Sequence, residues 1–341
     1  MKYQDVELHN VGGITGAGDQ AGIRISRLPH DVRERINPAA QKRAWQGSGC
    51  EIRGMLADGG SARVVLMADD SDTTPAMVSV YHGCFRGQAV LLKEEPTEIV
   101  IKTPSMIEFM ETISRIKDLP FDPRLVRVRL PALNSSRILS IEGDLRYPAP
   151  GVTPKQTLLC YGSSITQGAS AVPPEGTYAA QCARRLGLDL INLGFAGSAE
   201  MDAAISAHIA ARTDWDIAVL EMGINVRGWP NEKFQEAVTR FVGTVVAAHP
   251  DKLIFCIDLF THYADFKASA PKAEAFRKIV QEVAAGTDSS RVIHVDGRML
   301  LEDPSGLLTD LVHPGHEGMQ EMGDNLAALI RRSMENVQKK N

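Results

Sequence analysis

The run Thr157-Leu158-Leu159-Cys160-Tyr161-Gly162-Ser163-Ser164-Ile165-Thr166-Gln167-Gly168 decides how the rest of the chain is read. Its apolar half stops at a glycine, followed by two serines and, a few residues on, a second glycine. An apolar run ended by Gly reads as a buried parallel strand breaking into a tight turn. Open α/β sheets bind ligands at the carboxyl edge of their strands, so a serine in that turn sits where chemistry is done. Taken alone, the turn favours the plainer reading, a serine that only shapes the backbone.

Downstream the same grammar repeats. Apolar stretches at 157–161, 189–193, 216–221, 252–258 and 291–295 alternate with helical patterns at 178–186, 201–212, 231–248 and 272–285, and a long helix is expected over 317–337. This alternation predicts a parallel sheet of about five strands with helices on both faces.

Upstream the pattern differs. Short β-rich runs at 50–53, 62–66, 77–81, 89–92, 97–101, 126–130 and 138–141 are separated by turn signals such as Asp58-Gly59-Gly60 and His82-Gly83. Polar–apolar alternation, as in Val126-Arg127-Val128-Arg129-Leu130, marks strands with one wet face, and the set predicts an antiparallel β-sandwich. Helices are expected near 29–45 and 105–116. Arg24, Arg27, His30 and His82 are expected at solvated or turn positions. Between the halves, Tyr147-Pro148-Ala149-Pro150-Gly151-Val152-Thr153-Pro154 cannot continue a helix or a central strand. The boundary is therefore expected there, with 1–150 as the sandwich and 151–341 as the α/β domain.

Composition narrows the function classes. The 341 residues are 44% hydrophobic and 23% charged, with a net charge of -5 and no basic block before Lys339-Lys340, which argues against nucleic acid as a partner. No stretch approaches the ~18 consecutive apolar residues of a membrane span. The start, Met1-Lys2-Tyr3-Gln4-Asp5, lacks the apolar core of a signal peptide, and the 5 cysteines are scattered without CxxC spacing. The expectation is a cytoplasmic protein with reduced thiols and no membrane association, self-association being left open.

Four features then fall at the expected sheet edge. Ser164 follows the first strand. Asn192-Leu193-Gly194-Phe195-Ala196-Gly197-Ser198 follows the second, offering bare N–H groups. Glu221-Met222-Gly223-Ile224-Asn225 follows the third, offering a side-chain amide. Near the end, Asp310-Leu311-Val312-His313-Pro314-Gly315 places a carboxylate three residues from an imidazole. Side chains at i and i+3 of a turn lie on one side, so Asp310 can orient His313 and leave its other nitrogen free for Ser164. Pro314 suits the first position of the following helix. Each feature alone has a plainer reading: a turn-forming Asn, a packing glycine, a surface His, a capping Asp. Together they supply nucleophile, base, orienter and oxyanion donors.

These blocks resemble the SGNH (GDSL-like) hydrolase superfamily, in the subgroup where a β-sandwich precedes the catalytic domain. Gly162-Ser163-Ser164-Ile165-Thr166-Gln167-Gly168 is similar to its first block, Gly194-Phe195-Ala196-Gly197 to its second, Gly223-Ile224-Asn225 to its third, and Asp310-x-x-His313 to its last. The resemblance implies a flavodoxin-like α/β fold and a Ser164–His313–Asp310 triad. It implies an oxyanion hole from the N–H groups of Ser164 and Gly197 and the amide of Asn225. No cofactor is expected, and no metal, because His313 and His316 lack a third partner at ligand spacing. It also implies a small-acyl esterase, its substrate a small-molecule or carbohydrate ester. Acyl transfer to an alcohol is the alternative, and a non-catalytic carbohydrate-binding protein a more distant one. Two departures stand out: Ser163 where the superfamily most often has Asp, and Val226 where Asp is frequent. The α/β-hydrolase elbow is rejected because Thr166 occupies the place of its second glycine. P-loop and dinucleotide sites lack their glycine patterns after the strand.

Overall fold

The computed structural model describes residues 1–16, 22–69, 75–267 and 270–340, with side chains to residue 337. Its first part carries strands β1 (Lys2–Tyr3), β2 (Val6–His9), β3 (Gly13–Gly16), β4 (Ile23–Ser26), β5 (Glu51–Leu56), β6 (Ser61–Ala68), β7 (Met77–His82), β8 (Phe85–Leu91), β9 (Thr97–Lys102), β10 (Leu125–Arg129), β11 (Ser136–Gly143) and β12 (Leu145–Arg146). They form two antiparallel sheets, ordered β1-β2-β5-β10-β7-β8 (with β12 on β5) and β3-β4-β11-β6-β9. Alternation does what was expected of it. Val64 and Leu66 of one sheet and Val78, Val80, Val126 and Val128 of the other point inward to a shared core. All seven expected strands are present; β1 to β4 and β12 were not foreseen.

The helix expected over 29–45 is two: α1 (His30–Arg33) and α2 (Pro38–Arg43). Asn37-Pro38 divides them. Pro38 has no N–H to continue a helix but fits the first turn of a new one, and the Asn37 side chain caps that turn by accepting from the Ala40 amide at 2.9 Å. A third helix, α3 (Ile107–Lys117), lies where expected.

The second part holds β13 (Thr157–Gly162), β14 (Asp189–Gly194), β15 (Ile217–Glu221), β16 (Leu253–Ile257) and β17 (Val292–Val295), all parallel, in the order β14-β13-β15-β16-β17. The chain leaves β13 for β14 on one side and returns to β15 on the other, so the sheet switches direction beside the end of β13. The pleat divides the core cleanly. Leu159, Tyr161, Ala218 and Leu220 face α6 (Ala203–Ala211), α7 (Asn231–Ala248) and α8 (Ala270–Ala285). Leu158, Cys160, Ile217 and Val219 face α5 (Tyr178–Leu186) and α9 (His316–Lys340). A one-turn helix, α4 (Ser164–Gln167), follows β13. Helix α9 begins at His316, so Pro314 lies before it and not at its first position.

The two parts are joined by more than a linker. Leu28, Val32, Ile36, Ala40 and Ala44, from the α1–α2 arm, are buried in the same cluster as the parallel sheet. Asn37 clasps Asp202 and the Ser198 carbonyl. Arg27 was expected on a solvated turn. It is instead fully buried, donating to the carbonyls of Gln46, Asn192 and Arg43 at 2.8–3.0 Å, and burial brings its pKa down to about 10. Arg53 makes a bidentate pair with Asp189 at 2.6 and 2.7 Å, while buried Glu51 holds Arg53, Arg127 and Arg129. All 5 cysteines are unpaired. Among the described residues no helix is long and apolar enough to cross a membrane.

Candidate active site

Gly162 and Gly194 are register partners at the ends of β13 and β14. A Cβ on Gly162 would strike the Glu221 carboxylate and the Thr166 hydroxyl, and one on Gly194 would strike the Gln167 backbone. Only glycine lets the two strand ends and α4 come this close. Ser163 then caps α4: its hydroxyl accepts from the Ile165 amide at 3.2 Å, while its own amide donates to Glu221 at 2.5 Å. Ser163, where the superfamily most often has Asp, thus caps the turn with a neutral hydroxyl.

Ser164 begins α4, and its Oγ lies 2.8 Å from His313 Nε2. His313 Nδ1 lies 2.7 Å from Asp310 Oδ2, while Asp310 Oδ1 accepts from the amides of Val312 and His313, both at 2.9 Å. Because a carboxylate faces Nδ1, the proton belongs there and Nε2 faces Ser164 as acceptor. Partial burial pushes Asp310 upward, but these hydrogen bonds prevail and hold it below the usual carboxylate range. The loop is shaped by Leu311, whose φ of 55° is left-handed, and by its carbonyl accepting from the Tyr263 amide at 2.9 Å. Val312 packs against the main core, so the loop is anchored from below.

Three residues lining the same cleft carry N–H donors without a protein acceptor among the described residues. Gly197 adopts φ 67° with open space where a side chain would be, and its amide has no protein acceptor among the described residues. Asn225 Oδ1 accepts from the Ala199 amide at 3.0 Å, which fixes the amide orientation and leaves Nδ2 without a protein partner. The Ser164 amide, at the start of α4, is the third. All five residues singled out in the sequence, Ser164, Gly197, Asn225, Asp310 and His313, therefore line one cleft of about 530 Å³.

The sequence reading missed several neighbours. Arg43 and Leu133, from the first part of the chain, line the cleft, as does Arg227. Arg43 Nε donates to the Ala196 carbonyl at 3.2 Å. Gln167 binds Gln46 and the Ala132 carbonyl through its amide NH₂ and receives the Ala196 amide on its oxygen. Glu221 lies beneath the Ser163–Ser164 turn, accepting from Ser163 and Thr166; burial raises its pKa against those hydrogen bonds. Arg227 stands two residues beyond Asn225 and could have been noticed, whereas Glu221 closes a strand and carries no such signal. Arg43, 121 residues before Ser164, and Leu133, 31 before it, come from the first part of the chain and carry no local signal.

The sequence model of the GDSL-like Lipase/Acylhydrolase family matches residues 155–331. The chain belongs to this family and is, in class, a serine ester hydrolase. Among solved structures, it is similar over both parts to the salicylyl-acyltransferase SsfX3 of a tetracycline biosynthetic pathway, at 20% identity and TM-score 0.76, covering 98% of this chain and 95% of the other. A family two carbohydrate esterase from Clostridium thermocellum, in complex with cellohexaose, is 15% identical with TM-score 0.59, covering 96% and 99%. One from Cellvibrio japonicus is 13% identical with TM-score 0.62, covering 98% and 96%. At these identities the likeness is one of fold, including the β-sandwich ahead of the parallel sheet. No curated protein sequence matches the chain significantly.

Proposed function

We propose that the protein hydrolyses small acyl esters, acetyl above all, on a carbohydrate, through an acyl-enzyme on Ser164. The observation that carries this reading is the relay Ser164–His313–Asp310, at 2.8 and 2.7 Å, facing three unpaired N–H donors. His313 takes the Ser164 proton as Oγ attacks the ester carbonyl. The imidazolium that forms is stabilised by Asp310 and returns the proton to the departing alcohol. The Ser164 and Gly197 amides and Asn225 Nδ2 receive the oxyanion; losing one such donor typically costs ~3–4 kcal/mol in the transition state. Water then enters by the same route and releases the acid.

The small residues Ala169, Ser170, Ala196 and Gly197 in the lining favour a short acyl group over a long chain. Exposure of 49% at the Asp310 side chain and 29% at His313 favours water as the acceptor over transfer to another alcohol, which needs a site that excludes water. The test is a panel of acetylated sugars and longer acyl esters, with products analysed in the presence of added alcohols. Wild-type protein should release acetate, Ser164→Ala and His313→Ala should lose turnover by at least about 10³, and His316→Ala should retain most of it. Full turnover by Ser164→Ala would sink the proposal, and dominant transfer to the added alcohol would move it to the acyltransferase reading.

A further inference from the structure

The cleft around Ser164 contains a cation that acyl chemistry does not use. Arg227 stands two residues beyond Asn225, is exposed, and lines the same cleft. Its one bond among the described residues runs from Nη1 to the Ile224 carbonyl, 3.1 Å away in its own turn, and no ion pair engages it. Arg43 brings a second guanidinium, positioned by its Nε bond to the Ala196 carbonyl beside Gly197. The acidic groups nearby are committed. Asp310 is occupied by His313 and Val312, and Glu221 lies under the turn with Ser163 and Thr166 on its oxygen. Val226, between Asn225 and Arg227, is buried and apolar.

A guanidinium offers parallel N–H groups in a plane, the geometry that a carboxylate accepts in bidentate fashion, and it keeps its charge at every working pH. Held at the mouth of a cleft, it also raises the local concentration of anions. We infer that the ester this site prefers carries a carboxylate, bound by Arg227 while its carbonyl lies over Ser164. This rests on Ser164 being the ester nucleophile. The carboxylate can belong to the acyl group, as in a dicarboxylic half-ester, or to the alcohol, as in an acetylated uronic acid; the chemistry recognised is the same.

Two matched pairs separate the cases: phenyl hemisuccinate against phenyl butyrate, and an acetylated methyl glucuronide against the corresponding glucoside. Both kcat/KM on wild-type protein and Kd on Ser164→Ala, measured by calorimetry, are compared within each pair. In at least one pair the anionic member should be favoured about five- to ten-fold, as expected for a charge-assisted contact at partial exposure. The pair that responds identifies where the carboxylate resides. The preference should shrink as salt is added, fall close to one in Arg227→Gln and survive in part in Arg227→Lys. Ratios near one in both pairs, or an undiminished preference in Arg227→Gln, would overturn the inference. Turnover without charge preference refutes this assignment alone. Binding preference without turnover of any ester refutes the hydrolytic reading and leaves Arg227 its role.

Discussion

At the scale of single residues, the least expected group is Glu221, a carboxylate buried beneath the nucleophile turn with no cation paired to it among the described residues. Its work is to accept the Ser163 amide, which no strand or helix satisfies, and the Thr166 hydroxyl, itself 2.7 Å from Tyr178. Burial raises the pKa, so the folded state binds this proton more tightly than the unfolded chain, and the stability it lends is lost as pH rises through the folded value. Glu221→Gln keeps an oxygen for Ser163 and removes the charge. It should match or exceed wild-type stability at neutral pH. Glu221→Ala strands a buried amide and should cost about 1–3 kcal/mol. Urea denaturation of both variants reads the difference, and equal damage from Gln and Ala would show that the charge itself is needed. The five residues that share the cleft stood out in the sequence because four are polar residues at or near a turn and the fifth, Gly197, lies in the glycine-rich turn after a strand. Glu221 did not, since a glutamate closing a strand signals nothing until its partners are known.

Among the elements, the α1–α2 arm shows how a local rule can be readable in its parts and misread as a whole. A single helix was expected near 29–45, and most of that stretch is helical, but Asn37-Pro38 divides it, and the division is useful. Asn37 caps the second helix and reaches across to Asp202 and the Ser198 carbonyl just beyond Gly197. Asn37→Ala should therefore cost about 2 kcal/mol, a lost cap plus lost cross-chain bonds. By loosening the 197–199 turn it should also lower kcat on a neutral acetyl ester. A stability loss with unchanged kcat would separate the cap from the site. Strands β1 to β4 escaped notice because they are only two to four residues long, so window-based alternation has little to act on, and β2 and β4 owe their place in the sheets to β5 and β11 further along the chain.

For the whole molecule, the seam between sandwich and parallel sheet is polar, buried and connected. Burial alone would raise Glu51 and Asp189. Arg127, Arg53 and Arg129 reverse this for Glu51, and Arg53 and His9 for Asp189, so both are held below the usual carboxylate range. Depressed carboxylates stabilise the fold above their unfolded pKa of about 4 and lose that contribution as pH falls through the lower folded values. Thermal stability should hold from neutral pH to about pH 5 and decline below about pH 4, with a shallower acid limb in Asp189→Asn. Asp189→Ala leaves Arg53 buried without its main partner and should cost roughly 3–5 kcal/mol. A seam of this kind should also make the chain unfold in a single calorimetric transition, and two separate transitions would count against it. None of these pairings was legible in the sequence, where Arg53 and Asp189 stand on opposite sides of the proline linker.

The arm that crosses this seam sets a timetable for the chain's birth. Leu28, Val32, Ile36, Ala40 and Ala44 leave the ribosome before the surface that buries them, which is built from Leu159 and later residues. The sandwich can assemble its own two-sheet core first, but the arm must wait, apolar face outward, until the parallel sheet has been synthesised. The last residues needed to complete the cleft, Asp310 and His313, arrive later still. Arg43 and Leu133 are thus among the first cleft residues made and among the last to acquire their function.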